Sequence, residues 1–437
     1  MKRKLCLVQI VLLVFFCTAW GEETAYVPLP AILQITQHTQ TRQITANFTS
    51  QKTYPDTVLE SINSEISQAV DEMSSRREKE ILGLHSRENA VADTGAAVTV
   101  TGTSTASFLL VSHASNDKMP LSVEFRCFVY DMITGKAIHL SDMLLPQAAA
   151  IVQDAICQQL SSYFPDLQAD AQVLQALSGD VFSLPFTMTP ACFAFHFRAD
   201  SLYSGKNTLM HVYVPYKWVE DYLTETGKIQ TDNSHYRTAA LTFDDGPTQG
   251  VTNKMILALR DGGANATFFN MGNRLLNNQD FIVLEHDLGY GVESHTYQHD
   301  YDSLNKRKII AYRDKFASYQ ERIIGIGPRM MRAPGGNDKL YVKYDVGLPI
   351  IRWNTASGDA AKKVSVSECM GTFVYTLKDH SIILAHNLRK TSIEVLNGML
   401  QRLRDRGYLY VTVEEFFLLR GIDLQNSVVY FGNEVAE

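Results

Sequence analysis

The sequence predicts an α/β protein in which a smaller α+β domain with an antiparallel sheet precedes a (β/α) barrel. Three observations support this class. From residue 235 to about 425, short apolar runs alternate with helical patterns, which is typical of a parallel sheet. Before that point, apolar strands flank turn sequences around one long amphipathic helix. Aspartate, histidine and arginine residues stand at the ends of several apolar runs in the second part.

The length and composition fit more than one globular domain. The chain has 437 residues, of which 45% are hydrophobic, and its formal net charge is -7. This charge gives no reason to expect nucleic-acid binding.

Residues 1–21 are typical of an export signal. Residues 2–4 are basic, residues 5–16 form a short apolar run, and Ala19 and Gly21 are small residues suited to cleavage. An uncleaved segment that anchors the protein to the membrane is the alternative. In both cases we expect an exported protein, secreted or associated with the extracellular face of the cell envelope.

Four cysteines lie beyond this segment, at positions 127, 157, 192 and 369. They form no CxxC pair, and their spacing resembles neither a zinc knuckle nor a disulfide framework. Cys127 alternates with apolar residues, which favours burial in a strand. A disulfide stays possible in an exported protein.

Residues 25–230 are expected to form the α+β domain. A helix follows Pro55, with apolar residues at helical spacing over residues 58–73, and a second helix covers residues 152–160. We expect strands at residues 107–111, 121–130, 137–140 and 209–214. No catalytic constellation is apparent in this part. Its histidines are interpreted as surface or structural residues: His38, His85, His113, His139, His196 and His211.

Residues 235–425 are expected to form the barrel. The predicted strands cover residues 239–243, 266–270, the region of Val292, and residues 328–332, 349–353, 381–385 and 408–413. The predicted helices between them cover residues 253–260, 281–287, 306–324 and 399–406. The carboxyl ends of parallel strands meet at one edge, where the active site of such a barrel is found.

The sequence TFDDGP places Asp244 and Asp245 side by side at the end of the first strand. Two adjacent carboxylates repel one another unless a cation or a shared proton separates their roles. His295 and His299 follow the third strand, and two imidazoles with one carboxylate can bind a divalent metal while leaving positions open. We therefore expect Asp245, His295 and His299 to be metal ligands, as opposed to a purely structural cluster. This donor set favours zinc, with cobalt and manganese as alternatives.

Asp244 and His386 are the candidate base and acid. A metal lowers the pKa of bound water to about 7, so Asp244 could accept its proton; capping of a turn is the competing role. His386 ends the apolar strand SIILAH and could protonate a leaving group, whereas a satisfied core histidine is its alternative. Arg332 needs an acidic partner near the barrel mouth, either Asp244 or Asp359 or both. A surface ion pair is the competing reading.

These residues, as they stand here, resemble the motifs of the NodB-homology polysaccharide deacetylases, carbohydrate esterase family four. The motifs are TFDDGP, HTYQH, RAPGG, WNTASGD and LAH, and with ATFFNMG and LRDRGYLYVTVEEFF the likeness covers about residues 235–420. The resemblance implies that Asp244 is the general base, Asp245, His295 and His299 bind the metal, and His386 is the general acid. It also implies that Arg332 orients Asp244 with Asp359 behind it, and that Leu384 lines the acetyl pocket. The fold that it implies is a distorted (β/α) barrel with fewer than eight regular strands.

Two positions depart from the family pattern. Gly335 replaces an aromatic residue of the third motif but keeps a backbone N–H for an oxyanion, and Ala360 replaces the tryptophan that usually follows Asp359. Trp353 could supply part of the lost aromatic surface, although burial in the barrel is its competing role.

The stretch VYDMITGKAIHLSDML and the later FHFRADSLYSGKNTLMHVYVPYKWVEDYL resemble a small extracellular domain of certain bacterial peptidoglycan deacetylases, also found in lysozyme-sensing anti-sigma factors. This likeness implies a wall-facing domain that could bind a wall or protein ligand. We therefore expect metal-dependent hydrolysis of N-acetyl groups of a glycan, with peptidoglycan as the leading substrate. Chitin oligomers and O-acetylated xylan are alternative substrates, and a non-catalytic wall-binding protein is the alternative of another class.

Overall fold

The computed structural model describes residues 26–84, 89–116, 119–163, 179–199, 207–300, 304–361, 363–432 and 434–435. The expected export signal and His85 lie outside these residues. Within them, no helix combines the length and apolar character that crossing a bilayer requires. The four cysteines at positions 127, 157, 192 and 369 are free thiols.

The first half begins with a six-stranded sheet whose strands follow one another in sequence order. Its elements are β1 (Thr36–Thr45), β2 (Phe48–Asp56), α1 (Glu60–Leu82), β3 (Ala90–Thr101), β4 (Thr105–Asn116), β5 (Met119–Asp131) and β6 (Lys136–Ala137). Neighbouring strands are antiparallel except β2 and β3, which α1 connects as a parallel pair. Helix α1 buries Ile62, Ile66, Val70 and Met73 against a core that includes Phe108 and Leu110 of the sheet.

A second, three-stranded antiparallel sheet completes this half. Its elements are α2 (Leu140–Met143), α3 (Ala149–Tyr163), β7 (Phe186–Met188), β8 (Cys192–Arg198), β9 (Leu209–Pro215) and α4 (Glu225–Thr231). The expected α+β class with an antiparallel sheet is confirmed. The strand expected over residues 137–140 is wrong beyond Ala137, because α2 begins at Leu140 with a capping box between His139 and Asp142.

The second half alternates strands with helices. It contains β10 (Thr238–Asp244), α5 (Thr252–Asp261), β11 (Ala266–Asn270), α6 (Gly272–Leu275), α7 (Gln279–Asp287), β12 (Gly291–Ser294), α8 (Lys306–Ile324), α9 (Lys339–Lys343), β13 (Ile350–Ile351), β14 (Thr355–Ala356), α10 (Val366–Thr376), β15 (His380–His386), α11 (Lys390–Asp405), β16 (Leu409–Tyr410), α12 (Val413–Leu418), β17 (Val429–Phe431) and β18 (Glu434–Val435).

The strands of this half form an irregular parallel array, to which β18 adds antiparallel to β17. Five of them are ordered β12-β11-β10-β15-β14, and β16 also pairs with β10. Single parallel bridges at Met331 connect Ser294 of β12 with Ile350 of β13, which in turn pairs with β17. This arrangement confirms the expected α/β barrel and its distortion.

Three strands expected in the barrel are shorter than predicted. Only Met331 of residues 328–332 makes strand bridges, and only Ile350 and Ile351 of residues 349–353 form a strand. In residues 408–413 the strand ends at Tyr410, because Thr412 caps α12 in a capping box with Glu415.

The two halves share one hydrophobic core. Leu109, Val111 and Val123 of the first sheet pack in the same buried cluster as Ile256 and Leu259 of α5. Beside this cluster, the guanidinium of Arg260 donates two hydrogen bonds of 2.7 and 2.8 Å to the carboxylate of Asp93, and both side chains are buried. The first half therefore covers the helical face of the barrel instead of standing apart from it.

Candidate active site

The predicted site residues meet at the carboxyl edge of the parallel array. Asp244 ends β10, and its partner in the neighbouring strand β15 is His386. His295 directly follows β12, and Arg332 directly follows the bridging residue Met331. Because parallel strands carry their last residues to the same edge, these distant positions in the chain lie side by side.

Asp245, His295 and His299 form the candidate metal centre. Oδ1 of Asp245 lies 3.5 Å from Nε2 of His295 and 3.7 Å from Nε2 of His299. These distances exceed those of hydrogen bonds. They fit ligands of one ion, because two ligand atoms at about 2.0–2.1 Å from a tetrahedral metal are about 3.3 Å apart. The structure therefore brings the three predicted ligands together in a suitable donor set.

A hydrogen bond fixes the ring of His295. Its Nδ1 lies 2.9 Å from the carbonyl oxygen of Arg332 and must donate, because a carbonyl can only accept. Nε2 is then the nitrogen with a free lone pair, and it faces Asp245. Burial lowers the pKa of His295, which favours the neutral form that a metal ligand needs.

Two residues of the centre have backbone conformations that L residues rarely adopt. Asp245 has φ of 70° and Thr296 has φ of 64°. Such conformations cost about 1–3 kcal/mol each and persist where the surrounding structure enforces them. The next residue must be glycine, since a Cβ on Gly246 would stand 2.6 Å from the amide nitrogen of Asn387 and 2.8 Å from the amide oxygen of Asn270. The sequence TFDDGP therefore forms a sharp turn. This turn places the carboxylate of Asp245 next to the rings of both histidines.

Arg332 holds Asp244 in place. Its fully buried guanidinium donates hydrogen bonds of 2.8 Å to Oδ1 of Asp244 and 2.6 Å to the hydroxyl of Thr242. It also donates to the carbonyl oxygens of Ile351 and Arg352. Burial lowers the pKa of Arg332, and Asp244 offsets part of that effect. The second oxygen of Asp244 lies 3.8 Å from Nε2 of His295, so this carboxylate borders the metal centre.

Asp359 does not pair with Arg332, and the expected carboxylate–arginine–carboxylate chain is wrong. Its Oδ1 instead lies 2.8 Å from Nδ1 of His386, and its Oδ2 accepts a bond of 3.1 Å from the backbone N–H of His386. Hydroxyl groups of Ser357 and Ser392 donate to the same carboxylate. The loop after β14 turns Asp359 towards β15 and away from the buried guanidinium.

This pairing raises the pKa of His386. Burial alone lowers the pKa, but the hydrogen bond and charge of Asp359, with the charges of Asp244 and Asp245, more than offset it. Burial in turn raises the pKa of Asp359, whereas His386 and the serine hydroxyls lower it, with a net decrease. The pair of His386 and Asp359 therefore favours an imidazolium beside an ionised carboxylate. This imidazolium is a suitable proton donor.

The three predicted substrate-contacting residues lie on or directly after the segments that carry this centre. Leu384 lies two residues before His386 on the same face of β15 and is partly exposed. Gly335 is exposed, with φ of 60°. Trp353 is partly buried, and its ring centroid lies 5.7 Å from the guanidinium carbon of Arg332.

Several residues that support the site were not predicted from the sequence. Thr242 and Ser392 hold Arg332 and Asp359 through their hydroxyl groups. Asn270, at the end of β11, donates to the fully buried carboxyl group of Glu285, whose pKa burial raises to about 8. Asn270 carried a signal, because it ends a predicted strand at the active edge. Ser392 lies in a helix and carried none.

A second group of metal-type ligands lies at the junction of the two halves. Donor atoms of His211, His286 and Asp287 are all within 4.8 Å of one another and buried. Both ring nitrogens of His211 are engaged, Nε2 with the carbonyl oxygen of His286 at 2.9 Å and Nδ1 with Nδ1 of His196 at 2.8 Å. Asp287 lies 3.1 Å from Nε2 of His113. We interpret this group as a hydrogen-bonded structural network.

The comparisons with known proteins point to one family. Residues 231–346 match the polysaccharide deacetylase family. The peptidoglycan-N-acetylglucosamine deacetylase PgdA of Listeria monocytogenes is 31% identical over 195 residues, 44% of this chain and 41% of that protein. A bifunctional xylanase/deacetylase of Pseudobutyrivibrio xylanivorans is 29% identical over 199 residues, 44% of this chain and 32% of that protein.

A solved structure of the peptidoglycan deacetylase PdaC from Bacillus subtilis aligns with 25% identity and a TM-score of 0.41, over 44% of this chain and 94% of that one. The chain spans less than half the length of the first curated relatives that it matches. The matched family segment holds Asp244, Asp245, His295, His299 and Arg332.

Proposed function

We propose that this chain is a metal-dependent hydrolase that removes N-acetyl groups from a cell-wall glycan, most directly peptidoglycan, and releases acetate. One observation carries the proposal: Asp245, His295 and His299 face a common point with the separation of metal ligands, next to the carboxylate of Asp244. The match of residues 231–346 to the polysaccharide deacetylase family supports the same reaction class.

A divalent ion held by Asp245, His295 and His299 would supply Lewis acidity, which polarises an acyl carbonyl and makes water more acidic. The two histidines and one carboxylate favour zinc, with cobalt and manganese as alternatives. The rest of the chemistry belongs to residues of this chain.

Asp244 accepts the proton of the attacking water as general base. Arg332 holds this carboxylate beside the metal centre through a hydrogen bond of 2.8 Å. The backbone N–H of Gly335 stabilises the negative charge that develops on the carbonyl oxygen. This glycine is exposed at the mouth, so that a substrate can reach it.

His386 protonates the departing amine as general acid. The paired carboxylate of Asp359 keeps the imidazolium available and fixes the ring. Leu384 lines the space for the acetyl methyl group, and Trp353 offers an aromatic wall beside Arg332. The products are acetate and a free amino sugar.

Peptidoglycan is the leading substrate because the named activity of PgdA is deacetylation of peptidoglycan N-acetylglucosamine. Chitin oligomers and O-acetylated xylan are the second candidates, and the match to a xylanase/deacetylase favours testing xylan. We further propose an exported protein that acts on the extracellular face of the envelope, from the apolar segment of residues 5–16. The first half would then face the wall and could bind a wall or protein ligand.

Acetate release from peptidoglycan, chitin oligomers and acetylated xylan tests the proposal. We expect the zinc-loaded protein to release acetate from peptidoglycan fastest, and Asp244→Asn to be slower by about 10²–10⁴-fold, the usual contribution of a general base. Asp314→Asn, a matched change in an exposed carboxylate of α8, is the control. Equal rates for the wild type and Asp244→Asn remove Asp244 from the mechanism, and no acetate from any polymer favours a non-catalytic wall-binding protein.

A further inference from the structure

Arg352 lies at the mouth of the site but has no role in the chemistry described above. Its backbone contacts Arg332, the residue that positions Asp244, since the carbonyl oxygens of Ile351 and Arg352 accept hydrogen bonds from Arg332. The side chain extends the other way, over the loop of Gly335 and Gly336. A Cβ on Gly336 would stand 3.0 Å from Nη2 of Arg352.

The guanidinium of Arg352 is open to solvent and weakly engaged. Its side chain is 41% exposed, and its ion-pair contact within the described chain is Asp338, with Nη1 and Oδ2 3.6 Å apart. That separation is longer than a hydrogen bond. Its guanidinium carbon lies 5.7 Å from the ring centroid of Trp353, which restricts the side chain without occupying its N–H groups. Within the described residues, none of the five N–H donors of this guanidinium makes a hydrogen bond to a protein acceptor, and the side chain is 41% exposed.

Such a group has a clear ligand preference. A planar guanidinium presents parallel N–H donors that match the two oxygens of a carboxylate, and its charge is permanent. The adjoining loop carries no side chain at Gly335 or Gly336, so an incoming group meets the guanidinium directly. A neutral sugar hydroxyl uses neither the charge nor the fork geometry.

We propose that Arg352 binds a carboxylate of the substrate next to the acetamido group under attack, so that the site prefers glycans bearing acidic substituents over neutral glycans. This inference rests on the proposed function and narrows its substrate class. Peptidoglycan carries carboxylates on the peptides attached to its lactyl groups, whereas chitin oligomers carry none.

The alternative role of Arg352 is purely structural, with its side chain holding Asp338 and Trp353 in place. Loss of a structural residue changes the rate for all substrates alike, whereas loss of a carboxylate-binding residue changes the rate for an acid more than for its amide. The test therefore compares two forms of one saccharide: a disaccharide of N-acetylglucosamine and N-acetylmuramic acid bearing a dipeptide, and the same compound with its carboxyl groups amidated.

We expect the wild type to favour the acid form by about three- to tenfold in kcat/KM, as for a partly exposed charged pair. In Arg352→Gln the ratio should fall to about one, and Arg352→Lys should give an intermediate ratio because it keeps the charge but loses the fork. Lys228→Gln removes an exposed cation from the first half and should keep the wild-type ratio. Thermal melts establish that each variant is folded.

A wild-type ratio of one, or the same ratio in the wild type and Arg352→Gln, overturns the assignment. Calorimetric binding of the acid and amide forms gives the same comparison without turnover. If no acetate is released from either form, the proposed function fails, while the ratio of the two dissociation constants still decides whether Arg352 binds a carboxylate.

Discussion

Replacing Asp359 with asparagine should weaken the general acid on the alkaline side of the pH profile. Asp359 accepts a hydrogen bond from Nδ1 of His386 at 2.8 Å, and its charge helps to raise the pKa of that imidazole. The raised pKa extends the protonated, active form of His386 to higher pH. In Asp359→Asn the rate should therefore begin to fall at a lower pH than in the wild type.

The size of the effect follows from the bond that is lost. A hydrogen bond to a charged partner contributes about 1.5–3 kcal/mol, compared with about 0.5–1.5 kcal/mol between neutral groups. The imidazolium thus loses roughly 1.4 kcal/mol of stabilisation, a factor of about ten in the protonated population. We expect acetate release by Asp359→Asn to be about tenfold slower on the alkaline limb, with a smaller loss where His386 is protonated in both proteins.

The assay is kcat for acetate release measured from pH 5 to pH 10. Ser392→Ala is the matched control, because it removes the hydroxyl that bonds to Oδ2 of Asp359 and leaves the carboxylate charge in place. Its alkaline limb should stay at the wild-type position. An Asp359→Asn profile with the same alkaline limb as the wild type would refute the role assigned to the pair of His386 and Asp359.

Three further predictions concern stability. Arg260→Met should lower the free energy of urea unfolding by about 3–5 kcal/mol, because it leaves the buried carboxylate of Asp93 without its partner. Adding Asp93→Leu in the same chain should restore most of the lost free energy. If the losses of the two single variants add up in the double variant, that would contradict a shared core. Glu285, with its pKa raised to about 8 by burial, binds its proton more tightly when folded, so stability should fall from pH 6.5 to 8, and Glu285→Gln should flatten this slope. His196, with its pKa lowered from 6.5 to about 3 by burial, gains a proton only on unfolding. Its titration therefore lowers the free energy of unfolding as the pH falls from 6.5 towards 3, and His196→Gln should remove this contribution to the slope. An unchanged slope in either variant would contradict its assignment.

The second half of the chain was predictable because βα alternation places strand ends at one edge. Asp244 and His386, far apart in sequence, are paired in register on adjacent strands for this reason. The partner of Asp359 was not predictable, because the direction of the loop after β14 decides whether its carboxylate meets Arg332 or His386.

The first half was harder to predict because several of its strands lack an apolar alternation. Strand β1 has the sequence TQHTQTRQIT, and most of its residues are exposed or partly exposed. It is stabilised by pairing along its whole length with β2 and not by a buried face of its own. Polar strands of this kind carry no periodic signal. The packing of the first half against α5, through Asp93 and Arg260, likewise needs coordinates.

Asp245, His295 and His299 should together bind one divalent ion. Anomalous diffraction at the zinc edge, on crystals of the zinc-loaded protein, tests it most directly. We expect one ion within about 2.0–2.3 Å of a ligand atom from each of these three residues, and no ion there in Asp245→Asn. Absence of an ion from this position in the wild type, or a signal only at His211, His286 and Asp287, would contradict the account.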